Sequence, residues 1–329
     1  VARREAPYVS QWLIGAAFWL TVALVVIVRE TGVPENAVVG TFGIIFTSIV
    51  VEALPFILLG SAVSAAIAVL VSDRALARLG NLPRPLQLPA ASLAGAAFPV
   101  CECGSVPVGR RLIARGVYPG AGIGFMLAAP VINPIVLAST WVAYEGRGQA
   151  MQMTLARAGL GLAVAMVAGW AIGRLGSSSL LRDEAVRSHD HESPADGKAQ
   201  AYADHLVADF LFMGRYLVLG AAASAAVQTV VPQTVISGVA GTLVLSALAM
   251  MALAFVLSLC SEADAFVASS FTAFPLGAQL AFLVFGPVLD TKLAVLYGAS
   301  FRRHFALRVL VIAAPIALGG SLLFEGLVG

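Results

Sequence analysis

Residues 86–115 read LQLPAASLAGAAFPVCECGSVPVGRRLIAR. This apolar run is cut by Pro99, Gly104 and Pro107 and ends in Arg110, Arg111 and Arg115. If it crosses a membrane, all three arginines emerge on the outer side. If it dips in and returns, all three stay with the cytoplasmic positive charge, as the positive-inside rule asks. The return is the expected path. A second interrupted run, Ser237–Ala273, carries Cys260, Glu262 and Asp264 in its middle and reads the same way. Nonhelical backbone at membrane depth is tolerated only inside protein or along a wet cavity, so the two breaks mark the expected working centre.

The rest of the chain agrees that a bilayer is the solvent. Of 329 residues, 59 % are hydrophobic and 12 % charged, with a mean hydropathy of +0.91. A soluble domain carries about 25 % charge and about 45–50 % apolar residues. The composition excludes a disulfide scaffold and a disordered chain, and a net charge of +2 gives no basic face for nucleic acid. A hydrocarbon core of about 30 Å asks for roughly 20 apolar residues per helix. Spans are expected at Gln11–Val28, Gly43–Val71, Tyr118–Tyr144, Met153–Ile172, Leu206–Val231, Gly277–Tyr297 and Phe305–Leu327. Arg3 and Arg4 place the N-terminus in the cytoplasm, with the first span kept as an anchor rather than cleaved. Asp73, Arg74, Arg78 and the Ser177–Asp204 linker follow on that side, with Arg302, Arg303 and His304.

The polar linker divides the chain into halves that repeat. Gly60-Ser61-Ala62-Val63-Ser64-Ala65-Ala66 resembles Gly220-Ala221-Ala222-Ala223-Ser224-Ala225-Ala226, and Ala129-Pro130-Val131-Ile132-Asn133 resembles Gly286-Pro287-Val288-Leu289-Asp290. Cys101 and Cys260 fall between these matches in both halves. The expected architecture is an all-α integral membrane protein: a transmembrane helix in 1–40, repeat one in 41–175, a cytoplasmic linker in 176–205 and repeat two in 206–329. Re-entrant breaks would make the repeats inverted, which places a transport site between broken helices near the midplane.

Candidate site residues cluster at the breaks. Cys101, Cys103 and Cys260 are all the cysteines of the chain. Thiolates select soft ions, so three converging sulfurs would suit a thiophilic cargo or a d10 metal. Small apolar cysteines packing against broken helices is the alternative. Glu52, Glu102, Glu262, Asp264 and Asp290 lie in apolar sequence, where a charge costs roughly 2.5–3.5 kcal/mol and is retained for a partner or a pathway. Lys292 could neutralise Glu262 or Asp264, while Asp290, two residues away on a helix, would point elsewhere, and the choice of partner stays open. Glu52 fits a solvated position near the outer end of its span. Asn133 and Asp290 each follow a proline by three residues, suited to holding a cation or proton donor, or to a helix–helix hydrogen bond. His189, His191 and His205 lie among acids in the linker, as a solvated tether or a loose metal site. Gly120-Ala121-Gly122-Ile123-Gly124 lacks the lysine of a phosphate loop and suits close helix packing.

At Phe98–Pro107, Gly116–Pro119, Leu127–Pro134 and Leu259–Val267, the sequence resembles the YraQ/ArsP-type predicted permease family, over about Gly43 to Leu296. The resemblance implies an inner-membrane, multi-pass permease. One branch of that family is associated with efflux of trivalent organoarsenicals. The expected protein is thus a secondary transporter rather than an enzyme. It would move a small thiophilic solute outward past Cys101, Cys103, Cys260, Glu102 and Asn133, with Glu262, Asp264, Asp290, Lys292 and Glu52 as coupling or counter-charges. No cofactor is called for. The expected partners are the solute, the lipid bilayer and a second copy or an accessory membrane subunit. A membrane thiol–redox enzyme cycling Cys101 and Cys103, and a structural subunit of a membrane complex, are the competing readings.

Overall fold

Proline and short polar caps divide the apolar sequence into helices. The computed structural model describes residues 37–70, 83–98, 100–174, 180–181, 198–230, 242–302 and 304–328. The expected leading span Gln11–Val28, the charges Asp73, Arg74 and Arg78, Arg303, and the linker histidines His189 and His191 lie outside the described residues. The first half contains α1 (Ala37–Leu70), α2 (Arg84–Ala94), α3 (Glu102–Ala114), α4 (Pro119–Ile132), α5 (Pro134–Glu145) and α6 (Ala150–Gly173). The second contains α7 (Lys198–Val230), α8 (Leu243–Leu257), α9 (Asp264–Ser270), α10 (Leu276–Phe285), α11 (Thr291–Ser300) and α12 (Phe305–Val328).

Among the described residues, five stretches are long and apolar enough to cross a membrane: Val38–Leu70, Pro119–Glu145, Ala150–Gly173, Lys198–Thr229 and Phe305–Val328. The protein is an all-helical, multi-pass membrane protein. Three expectations about boundaries change. Tyr118–Tyr144, expected as one span, is α4 and α5 with nonhelical Asn133 between them. Gly277–Tyr297, expected as one span, is two helices, because α10 stops at Gly286 and Asp290 starts α11 by accepting the Leu293 N–H at 2.6 Å. Residues 198–205, expected in the linker, form the first turns of α7, so His205 is helical.

Packing fixes the path of the first interrupted run. Gly109 lies against Met126 and Gly122 against Ile113, so α3 runs antiparallel to α4. Gly124 lies against Leu88 and Ser92 and Gly95 against Ala129, so α2 runs parallel to α4. Helices α2 and α3 are therefore antiparallel, with a 3-10 turn at Gly95–Ala97 and the segment through Cys101 at their tip. At 1.5 Å per residue they reach only about 16 and 20 Å, short of a bilayer core. Gly104 and Pro107, expected as breaks, lie inside α3. A Cβ on Gly104 would fall 2.9 Å from the Phe56 carbonyl oxygen, so its glycine serves the close approach to α1.

The helices of the two halves correspond in order, and so do many of their contacts. Helices α2, α4 and α6 pack on one another as α8, α10 and α12 do, and α3 meets α11 as α9 meets α5. Between the halves, Phe46 and Val50 pack on Ala221 and Ala225, while Ser64 bonds Asp209, so α1 and α7 run antiparallel.

The arginines change meaning. Arg110 and Arg111 are buried rather than on a cytoplasmic surface, and both bond Asp209 of α7, at 2.9 Å each. Ser64 donates to the same carboxylate at 2.7 Å, and Arg115 donates to the Ile67 and Ala68 carbonyls at 2.8 Å. A guanidinium satisfied within the protein does not report which side of the membrane it faces.

Candidate functional site

The two tips meet. Cys101 ends the first in extended backbone (φ −74°, ψ 178°), and Glu102 begins α3. In the second, Ser258 ends α8 in the left-handed region at φ 47°, a conformation costly for a residue with a Cβ, and Cys260, Ser261 and Glu262 follow before α9. Ser261 Oγ donates to Glu102 Oε2 at 3.0 Å, which ties one tip to the other. Cys260 Sγ donates to Glu262 Oε2 at 2.9 Å.

Sulfur and carboxylate converge here. One ligand atom each from Cys101, Glu102 and Cys260 lie within 4.8 Å of one another, and all three residues are buried. Cys103 follows in the first turn of α3, buried as well. All three cysteines are free thiols. Two sulfurs and an oxygen form a soft-leaning donor set, which suits a thiophilic cation or metalloid better than a hard ion.

Charge at the centre is balanced from the second half. Lys292 Nζ lies 2.9 Å from Glu102 Oε1 and 3.8 Å from Asp290 Oδ2, with all three side chains buried. Of the candidates weighed from sequence, neither Glu262 nor Asp264 is the partner found. Asp290 is available because it sits ahead of the helix in extended backbone (φ −134°, ψ 179°), where the divergence of residues two apart on a helix does not apply. Asn133, its counterpart, likewise starts a helix, accepting the Ile135 N–H at 2.9 Å while its amide reaches the Val100 carbonyl at 3.5 Å. It supports the first tip.

Asp264 pairs with a residue the sequence reading passed over. Arg157 of α6 grips it bidentately at 2.8 and 2.7 Å, and also donates to Thr140 and to the Ser261 carbonyl. Arg157 is the one charged residue in the apolar run 151–173, which was the signal available. Asp209 was missed likewise, although it falls inside the expected span Leu206–Val231. Glu52 is exposed mid-way along α1 rather than near its end, within electrostatic reach of Lys292 and Glu102.

Known sequences identify the family. Residues 39–325 match the model of the ArsP-type family described as a predicted permease. "UPF0718 protein YcgR" of Bacillus subtilis is 42 % identical over 285 residues, covering 86 % of this chain and 96 % of that one. A Streptococcus mutans protein named "Putative two-component membrane permease complex subunit" is 34 % identical over 268 residues, covering 80 % and 88 %. No solved structure matches the chain. A multi-pass helical scaffold with a buried polar centre at two helix breaks, matched over nearly all its length, makes this chain a membrane permease of the ArsP-type predicted permease family.

Proposed function

We propose that this permease is a secondary transporter that carries a small thiophilic solute, such as a trivalent organoarsenical or a soft metal species, through the junction of its two tips. The observation that carries the reading is the convergence of Cys101, Glu102 and Cys260 within 4.8 Å, from opposite halves of the chain. Residues 41–175 and 206–329 act as inverted repeats joined by the segment 176–205, whose last eight residues are the first turns of α7, behind a leading span in 1–40. The antiparallel α1 and α7 support this, as do the corresponding contacts of the halves. Cys101 and Cys260 are the primary cargo ligands, with Cys103 beside them and Asn133 holding the tip. Lys292 holds Glu102, with Asp290 beside the same ammonium, and Glu262 and Glu52 are the remaining charges on the route. Asp264, held by Arg157, braces the second tip. The outward direction is carried over from the branch of the family associated with organoarsenical efflux. The name of the Streptococcus relative supports a second membrane subunit as partner.

Reconstitution into liposomes tests this, with a trivalent arsenical, zinc and copper(I) as probes. Transport of one soft probe that is lost in Cys101→Ser and Cys260→Ser, and weakened in Cys103→Ser, is the expected result. Transport indifferent to Cys101 and Cys260 overturns the thiol site.

A further inference from the structure

The correspondence of the halves fails at two places, and the failures form a pattern. Helix α1 packs closely on α3, but α7, its counterpart, does not pack comparably on α9. Helix α7 packs closely on α11, but α1 does not pack comparably on α5. Helices α3 and α11 run from the junction of the tips towards the side that holds the contact of Leu181 with Phe301. Helices α5 and α9 lie on the opposite side and pack on each other. The α1–α7 pair is thus clamped onto α3 and α11 on one side, and stands away from α5 and α9 on the other.

We infer that α1 and α7 move together as a rocking gate, and that the state seen here is closed over α3 and α11 and open towards α5 and α9. This rests on the paired-half transporter reading above and extends it to the route the solute takes. The closed side is made by backbone contact. A Cβ on Gly60 would fall 2.5 Å from Gly104 Cα, and one on Gly220 would fall 3.1 Å from the Lys292 backbone. On the open side the first turns of α5 and α9 expose Ile135 and Phe266, each 49 % accessible. Asn133 and Asp290 correspond, so Ile135 is the counterpart of Lys292, which Gly220 covers. Gly60, the counterpart of Gly220, is engaged with Gly104 instead. In the second state Gly60 moves to the first turn of α5, and Gly220 leaves Lys292 for α9. Glu52, exposed on α1 and within reach of the central charges, stands at the mouth of the open side.

The lock is ionic and one-sided. Asp209 of α7, held by Arg110, Arg111 and Ser64, ties α7 to α3 and α1 on the closed side. The register that aligns Gly60 with Gly220 puts Ile49 opposite Asp209, so α1 has no carboxylate at the matching position, its own acid, Glu52, lying one turn on. Opening the closed side requires the Asp209 cluster to break.

Spin-label distances in lipid nanodiscs, without any cargo, test the gate. One pair, Val39→Cys with Val142→Cys, spans the open side, and the other, Leu70→Cys with Ala114→Cys, spans the closed side. All four positions are exposed, and wild-type protein labelled in parallel gives the background from the buried native thiols. Asp209→Asn is expected to add a second population in which Val39–Val142 shortens and Leu70–Ala114 lengthens. Ser64→Ala should add a smaller one in the same sense, and decides the matter if Asp209→Asn does not fold. Distances unchanged in the folded variants, or both pairs lengthening together, overturn the gate. Since no cargo enters the measurement, failure of the thiol site in liposomes leaves this result to stand or fall alone.

Discussion

Lys292 and Glu102, 190 positions apart in the chain, meet at 2.9 Å with both side chains buried. The pair joins the N-terminal turn of α3 to that of α11, so each half supplies one charge of the central balance. Breaking such a pair leaves a charge stranded in a low-dielectric interior, which costs about 3–5 kcal/mol, whereas removing both charges costs far less.

Lys292→Met is therefore expected to lower thermal stability in detergent strongly, and Glu102→Gln somewhat less, since its amide can still accept from Ser261. The double variant Glu102→Gln/Lys292→Met should recover much of the loss. A double variant as unstable as the sum of the singles would show that the residues act independently.

Arg157 predicts a test of shape rather than charge. Lysine keeps the charge but cannot grip a carboxylate with two parallel bonds. Arg157→Lys should destabilise measurably, and Arg157→Met by about 3–5 kcal/mol because Asp264 is left unpaired. Thermal unfolding of both variants against wild type reads this directly. A stable Arg157→Met protein would mean that Asp264 is solvated.

Glycines divide into two groups. Gly60→Ala places its Cβ against Gly104 backbone, and overpacking of this kind costs about 1–3 kcal/mol. Gly159→Ala meets nothing within 4 Å, and the helix gains by up to about 1 kcal/mol. Melting temperatures should move in opposite directions.

Thiol counting separates transport from redox chemistry. Denatured protein should give three free thiols with or without reductant, as all three cysteines are unpaired. Two thiols missing without reductant would favour a cycling Cys101–Cys103 pair.

Membrane class, most spans and the two breaks were legible because they depend on local composition. Residues 43–71 as a span, for example, became Ala37–Leu70. Asn133 and Asp290 were legible as a matched pair, since a proline three residues earlier marks both. Partners were not legible. Nothing local says that Lys292 chooses Glu102 over Glu262, because that choice depends on how two tips 159 residues apart come together. Arg110 and Arg111 misled for a related reason. The positive-inside rule concerns arginines that face water, and burial against Asp209 is decided by a helix nearly a hundred residues later.

The caps Asn133 and Asp290 carry a consequence for how such a molecule can be built. Both start a helix at the same place, yet one is neutral beside Ile135 and the other acidic beside Lys292. Two identical chains assembled about an axis would have to present either two ammonium groups or none at that junction. A single cation set between carboxylates of both halves demands that the halves differ, and tethering them in one polypeptide gives each its own mutations while guaranteeing its mate. An artificial dimer of either half alone would keep the scaffold's seams and lose the central pair.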